Sequence, residues 1–400
     1  MSERLLHGGQ IAVSDLVGLI NQDYLQRLSD ELEADKWVIK LKTKTVFNLL
    51  LYSLLESTYI SLRSMESTYE TALFKAIEGL ALEDTTAHSS IRDRLTQIDA
   101  SYFEQVYEEV YRLATTYYDT SALSSYHIKR YDSTMLHVFG HLMEGMKVGN
   151  SSKNKRQVKL TTELTNSFGV RMKFFSDQAH LSEETALKEM IEASQHSKKE
   201  LIVFDRGLKS RATLQSFSNN NVQFVTRLNE NVRYKVEKEH PPLPFVENEQ
   251  VTILSDQIVY LYQTGNQLVE HPFRLVQIKT KEDKILLFLT NVFDLSAHMI
   301  AYIYRQRWEI EVFFRFMKQE MNLTHLISHN QNAIKVVLYT TLIAAMLVLI
   351  YKKLNGIKSY KKAKIQFFKE LQANIILEVL ELPNGVNKLK NYLNKQVRRC

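Results

Sequence analysis

The stretch Ala301–Glu320 (AYIYRQRWEIEVFFRFMKQE) places an aromatic hydroxyl, two cations and a carboxylate on one narrow stripe. At helical periodicity, Arg307, Glu311 and Lys318 fall roughly 60°, 20° and 40° to one side of Tyr304. Trp308 and Arg315 lie just beyond the other edge, and Ile303, Ile310, Phe313, Phe314 and Met317 form an adjoining apolar arc. A solvated face seldom mixes Tyr and Trp with its charges. The chemistry this stripe suits is the handling of phosphates around a carboxylate. Two further carboxylates stand where strands would carry them. Asp132 sits inside an extended run (YDST), where a charge is costly unless it is paired or bound to a metal. Asp205 ends the apolar run LIVF and precedes Arg206 and Gly207. Three carboxylates on three separate elements suit hard cations with oxygen ligands. Spacing alone leaves open that Asp132 is a salt-bridged or turn residue and Asp205 a helix N-cap.

The elements that must position these residues can be read in outline. Residues 1–122 are helical in pattern, with a leucine-rich run at Val46–Leu62 and aromatics at helical intervals in Tyr102–Leu113; this region is a DNA-reading unit or a scaffold. From Tyr126 the texture becomes extended, with strands expected at Ile128–Leu136, Gln157–Thr165 and Val170–Ser176. A helix N-capped by Ser182 follows, with Glu183 and Glu184 in its first turn. Then come a buried strand at Leu201–Asp205, a helix at Leu208–Phe217 and a strand at Val222–Arg227. Residues 228–284 read as a β insertion, with strands at Val251–Leu254, Val259–Gln263 and Phe273–Ile278. Ile285–Thr290 returns to a buried strand before a helix that begins near Ser296. This order predicts an α/β fold, a mixed sheet with helices on its faces.

Composition narrows the function further. The 400 residues carry a net charge of +6 with 44% hydrophobic residues, enough for a sizeable core. The charge is uneven: residues 352–400 hold 12 Lys and Arg against 3 Asp and Glu, a surplus that favours nucleic acid as partner. The only cysteine, Cys400, excludes an intrachain disulfide or a cysteine zinc site, and a reducing compartment is expected. Val336–Tyr351 is the one membrane candidate. At sixteen residues it is short of the roughly 20 a bilayer requires, so a buried core helix is expected and no membrane partner. His137, His141 and Glu144 imitate a metal-ligand spacing, but satisfied polar histidines are the better reading. There is no phosphate-binding P-loop, which argues against a nucleotide-driven enzyme.

The motifs also carry a resemblance. Tyr304-x2-Arg307-x3-Glu311-x6-Lys318 matches the YREK signature of DDE transposases of the insertion-sequence-four family. YDST around Asp132 and FDRG at Phe204–Gly207 resemble that family's two catalytic-aspartate motifs, and LFLTN (Leu287–Asn291) resembles its approach to the glutamate. The resemblance covers about residues 125–350. It implies a ribonuclease H-like mixed sheet with a β insertion before the glutamate-bearing helix, flanked by N-terminal and C-terminal helical regions. It places the catalytic domain at 123–350, interrupted by 228–284; it does not fix the role of the helical region 1–122, which is expected to help bind the DNA ends, and the basic region 351–400 is expected to add DNA or dimer contacts. Asp132, Asp205 and Glu311 would be the catalytic residues and hold two Mg²⁺ ions, for which Mn²⁺ can substitute. Tyr304, Arg307 and Lys318 would contact phosphates, Trp308 would handle a flipped base, and Arg227 would lie near the active-site DNA. The implied activity is cut-and-paste transposition at terminal inverted repeats, with strand transfer into target DNA and a hairpin intermediate. The implied assembly is a homodimer on paired ends, in the bacterial cytoplasm and on the nucleoid when DNA is bound. Two alternatives share the pattern: a non-catalytic DNA-binding descendant, and a structure-specific nuclease without a joining step.

Overall fold

The computed structural model describes residues 11–81, 83–117, 126–138, 145–147, 156–165, 168–194, 196–197, 199–241, 251–381, 386–387 and 390. His141, Glu144 and Cys400 lie outside the described residues, as does most of the expected polar loop Lys147–Lys155. The chain opens with helices α1 (Val13–Val17), α2 (Gln22–Glu31), α3 (Thr43–Glu56), α4 (Leu62–Glu70), α5 (Ala72–Glu78), α6 (His88–Gln97) and α7 (Ala100–Ala114). Their apolar residues recur at helical spacing. On α7, for example, Tyr102, Phe103, Val106, Tyr107, Val110 and Ala114 are buried along one face.

Strands follow: β1 (His127–Val138), β2 (Met146–Lys147), β3 (Arg156–Thr165) and β4 (Phe168–Phe175). Then α8 (Glu183–Glu192), β5 (Glu200–Phe204), α9 (Arg211–Asn219) and β6 (Gln223–Leu228) alternate. β1 pairs antiparallel with β3, and β3 with β4, whereas β1, β5 and β6 run parallel. Three antiparallel strands leading into two parallel ones form the ribonuclease H-like core expected from the sequence. The middle parallel strand, β5, is buried on both faces and reads as a near-continuous apolar run, LIVF.

The region expected to be a β insertion extends this sheet. It supplies β7 (Tyr234–Glu239), β8 (Val251–Leu261) and β9 (Phe273–Thr280), which join the core through β10 (Ile285–Thr290) paired to β6. The two runs expected at Val251–Leu254 and Val259–Gln263 are a single strand. The residues between them, Ser255 to Ile258, keep their pairing with β9. Asp256 has the composition of a turn residue, yet it is buried and accepts two hydrogen bonds from the Arg274 guanidinium, at 2.8 and 2.6 Å. Arg274 also donates to the carbonyls of Phe293 and Leu295. The insertion thereby fixes the chain just before α10 (Ala297–Arg305), whose N-cap Ser296 accepts from the Met299 N–H.

Helices α11 (Trp308–Glu320), α12 (Gln331–Leu354) and α13 (Tyr360–Glu381) follow. α8 and α9 cover one face of the parallel strands, where Leu187, Leu214 and Phe217 meet Tyr131, Phe204 and Phe224. α10 covers the other, with Ile300, Ile303 and Tyr304 against Val203, Val225 and Phe288. α12 contains the apolar Val336–Tyr351 run. By length and composition it is able to cross a membrane, but 89% of its most apolar window is buried inside the protein. It packs on α3, α7 and α13, as the core-helix reading expects.

Removing the Arg274 guanidinium leaves Asp256 buried and unpaired. Arg274→Met is expected to cost about 3–5 kcal/mol in urea unfolding, with part of the loss recovered by adding Asp256→Asn.

Candidate active site

Strand register places the two aspartates side by side. Tyr131 pairs with Phe204 across the parallel β1–β5 ladder. Asp132 and Asp205 are the next residues on these adjacent strands, which lie about 4.8 Å apart. Asp205 stands just past the carboxyl end of β5, where ligand sites of open α/β sheets collect. Asp132 lies within β1, because that strand continues into its antiparallel pairing with β3.

The third carboxylate arrives on a helix that the sequence shows as one and the structure divides in two. α10 ends at Arg305 and α11 starts at Trp308, separated by Gln306 and Arg307. Both intervening residues keep right-handed helical dihedrals. The hydrogen bonds there tighten to i→i−3, with the Arg307 N–H on the Tyr304 carbonyl at 2.9 Å and the Ile310 N–H on that of Arg307 at 3.1 Å. The cause lies in β1. Arg130, 5% exposed, donates Nε to the Gln306 carbonyl at 2.8 Å and Nη2 to the Gln306 side chain at 2.9 Å, and pairs with Glu309 at 3.1 Å. A single guanidinium two residues before Asp132 therefore joins the break to the strand.

Across this joint the expected stripe converges. Tyr304 donates its hydroxyl hydrogen to Asp205 at 2.9 Å. The Arg307 guanidinium lies between Asp132, at 3.4 Å, and Glu311, to which it donates a close hydrogen bond. It also sits 5.9 Å from the centre of the Tyr304 ring, which itself packs on Phe288 at 4.6 Å. Lys318 is half-buried and lies within the field of Asp132. Arg227, at the end of β6, acts on Tyr304. The Nε atoms of both Arg227 and Arg307 are buried with no hydrogen-bond partner. Trp308 is 54% exposed, with Arg315 over its ring at 5.6 Å, so it is not a core residue.

Burial and charge set the protonation of these groups. Burial pushes Asp132 up to about 6, against the pull of the Ser133 N–H and Arg307. Burial also acts to raise Asp205, but the Arg206 N–H, Arg307, Tyr304 and Arg206's charge together hold it below the usual carboxylate range. Burial works against the charge on Arg307, yet the surrounding Tyr304, Asp205, Glu311 and Asp132 keep its guanidinium more firmly protonated than usual. Burial lowers Lys318, opposed by Asp132. Burial lifts the Tyr304 phenol well above its ordinary range, and Asp205 beside it adds to the effect.

The donor set is entirely carboxylate oxygen, which suits a hard divalent cation. Among the described residues, no three such groups stand close enough to share one ion. The gap between Asp132 and Glu311 is spanned by Arg307. The residues fit a divalent cation in donor type, and Arg307 stands between two of the carboxylates.

A fourth carboxylate, absent from the sequence-based set, belongs to this neighbourhood. Glu183 opens α8, and its side chain lies across Gly207. A Cβ at 207 would stand 2.6 Å from the Glu183 carboxyl carbon. Its charge acts on both Asp132 and Asp205. In sequence it reads as an ordinary acid in a helix's first turn, where the backbone dipole favours it. The glycine after Asp205-Arg206 was the available signal, since a glycine outside a turn that needs positive φ marks a close approach.

Two measurements probe this arrangement. Asp132 titrates higher when folded than unfolded, so its ionisation destabilises the fold as pH rises from about 4 through about 6. Asp132→Asn is therefore expected to be more stable than the parent at pH 7–8 without divalent cations, by roughly 2–3 kcal/mol, with the gap closing as pH falls to 4 in denaturant titrations. Gly207→Ala must displace the Glu183 carboxylate, the far end of a flexible side chain, and is expected to cost no more than about 1 kcal/mol, with the cost removed in a Glu183→Ala background.

The segment that carries these residues is similar to known proteins. The family described as Transposase DDE domain matches residues 127–347. A putative transposase y4zB of Sinorhizobium fredii is 29% identical over 155 residues, which make up 39% of this chain and 43% of that protein. A probable transposase for insertion sequence element IS5377 of Geobacillus stearothermophilus is 29% identical over 151 residues, 37% of this chain and 38% of that one. A putative transposase for insertion sequence element IS4SA of a Synechocystis strain is 32% identical over 96 residues, 22% of this chain and 28% of that one. The matches thus span less than half the length of these relatives. Among solved structures, the piggyBac transposase synaptic complex with hairpin DNA superposes with a TM-score of 0.50 at 12% identity, covering 98% of this chain and 86% of that one. That likeness is one of fold. The family match spans more than half of the chain, from β1 with Asp132, through β5 and Asp205, to the helix of Glu311, and the chain belongs to the DDE transposase family.

Proposed function

We propose that this chain is a transposase that cuts DNA at the terminal inverted repeats of its own element and joins the ends to target DNA. The observation that carries this reading is the convergence of Asp132, Asp205 and Glu311, from two strands and a helix, around Arg307. Arg307 and Arg227 each keep a guanidinium Nε without a hydrogen-bond partner. Phosphate oxygens of a DNA end would satisfy them.

In this reading Asp132, Asp205 and Glu311 hold two Mg²⁺ ions, with Mn²⁺ able to replace them. Bound there, the metal pair would make the attacking water more acidic and stabilise the leaving oxygen. Arg307, released from its carboxylates, turns to the phosphate backbone beside Lys318 and Arg227. Tyr304 keeps Asp205 oriented and ionised. Trp308, exposed and backed by Arg315, offers a ring on which an unstacked base can lie.

The chemistry balances without an outside energy source. A water oxygen bonds to phosphorus, the bond to the 3′ oxygen breaks, and that oxygen leaves as a 3′-hydroxyl. In hairpin formation and in strand transfer a 3′-hydroxyl loses its proton, bonds to another phosphorus and releases a new 3′-hydroxyl; between them a second water opens the hairpin and frees the end's 3′-hydroxyl again. Each transfer keeps the count of phosphodiester bonds and each hydrolysis lowers it, so no step needs a nucleotide, consistent with a sequence that has no P-loop. Attack on the opposite strand of the same end gives a hairpin, and attack on target DNA gives strand transfer. Two ends must be held together, so the working form is a homodimer, with residues 1–122 on the ends and 351–400 adding DNA or dimer contacts. A chain of this kind works in the bacterial cytoplasm, on the nucleoid when bound to DNA.

Asp132→Asn, Asp205→Asn and Glu311→Gln are each expected to lower Mg²⁺-dependent cleavage of end DNA at least a thousandfold while leaving end binding within a few-fold. Normal cleavage by any of the three would overturn the assignment. Binding with no cleavage by the parent chain would favour a non-catalytic descendant. Cut ends that never join to target would favour a nuclease.

A further inference from the structure

Between α2 and α3 the chain projects a loop whose tip carries two large apolar side chains in water. Trp37 and Ile39 are each 92% exposed. The loop is not slack. At its base the Arg94 guanidinium of α6, almost fully buried, donates to the carbonyls of Ala34 and Leu41, the Asp35 carboxylate and the Thr43 hydroxyl, at 2.7–3.0 Å. Asp35 in turn accepts from the Thr43 N–H and hydroxyl and from Ser29. Both ends of the loop are thus tied to one buried ion pair. The backbone is also strained, with φ of 47°, 65° and 55° at Glu33, Trp37 and Leu41. Bulky side chains rarely adopt such values, and they persist only where the surroundings enforce them. A protein that clamps and strains a loop to hold Trp and Ile in solvent is presenting them to something.

The charge of the loop says what. Residues 36–44 (KWVIKLKTK) contain four lysines and no acid. Lys36 pairs with Glu33, while Lys40 and Lys42 stand exposed. The cleft beneath the loop is lined by Glu66, Glu70 and Asp93, which would repel phosphate and confine contact to the tip. We propose that this loop is a DNA contact of the N-terminal helical region. Lys40 and Lys42 lie on phosphates, and Trp37 and Ile39 wedge against bases. Apolar wedges between base steps and aromatic platforms for unpaired bases are both established ways of gripping DNA. The proposal rests on the transposase reading only in taking DNA as the partner.

The sequence holds two tryptophans, Trp37 and Trp308, so Trp37 is the sole indole in a full-length Trp308→Phe protein. We expect a labelled 30-base-pair duplex of random sequence to quench its emission, and added NaCl to reverse the quenching. Trp37→Ala should weaken binding of that duplex about tenfold with an unchanged melting temperature. The double variant Lys40→Glu, Lys42→Glu should lower the salt dependence by about one counterion per lysine. DNA binding by anisotropy with Trp37 emission and both variants unaffected would overturn the proposal and leave the transposase reading standing. No DNA binding by the parent chain would overturn both. A shift in Trp37 emission that follows protein concentration without DNA would assign the tip to a second copy and also overturn the proposal.

Discussion

One buried guanidinium sets the geometry on which the rest of the site depends. Arg130 lies on β1 with its side chain sealed from solvent, and it spends its donors on the Gln306 carbonyl, the Gln306 amide oxygen and Glu309. A guanidinium so placed must be fully paired, because burying the charge alone is costly. The joint between α10 and α11 therefore forms where Arg130 can reach it. That decides where α11 begins and which way it leaves the sheet, and so where Glu311 and Arg307 stand relative to Asp132. The strand that carries one carboxylate thus also positions the helix that carries another.

The second constraint is electrostatic. Asp132, Asp205 and Glu183 act on one another through their charges, and Glu183 and Asp205 both add to the cost of ionising Asp132. Arg307 is the internal answer, set between Asp132 and Glu311 and kept charged by its neighbours. The same guanidinium fits a phosphate equally well, since its fork of donors matches either oxyanion. A residue that neutralises carboxylates in one state and grips phosphate in another need not leave the site between them.

These features were unequally legible in the sequence. Asp205 could be read because a charge closing an uninterrupted apolar run has few structural uses, and the Tyr304–Lys318 stripe because its residue types do not belong on a solvated face. The stripe survived the helix break for a physical reason: Gln306 and Arg307 keep right-handed dihedrals, so angular phase carries across even though the hydrogen bonds shorten their span. The break itself was invisible. Each residue there is an adequate helix former, and the cause lies 176 residues earlier in Arg130. Glu183 was hidden in the same way, as an acid in a helix's first turn whose place beside the aspartates depends on a glycine 24 positions on. Asp256 misled in the other direction, since a charge in an extended segment resembles a turn until its partner Arg274 is seen. Local pattern carries composition and period, while pairing between distant side chains must be seen in the fold.

The outer helices add a last step to this reasoning. α12 is apolar around its whole circumference because it is enclosed on every side, by α3 and α7 from the N-terminal region and by α13. The same apolar core continues through Ile310, Phe313, Phe314 and Met317 of α11 to Leu136, Val158 and Leu160 of β1 and β3. Lys364 of α13, itself buried, donates to the carbonyls of Ser57 after α3 and Glu320 at the end of α11. The apolar side of the glutamate-bearing helix is thus packed into the body that holds the N-terminal helices. Close-packed interiors transmit displacement rather than absorb it. The N-terminal helices and α11 therefore belong to one packed core, and Glu311 stands on a helix whose apolar face is part of it.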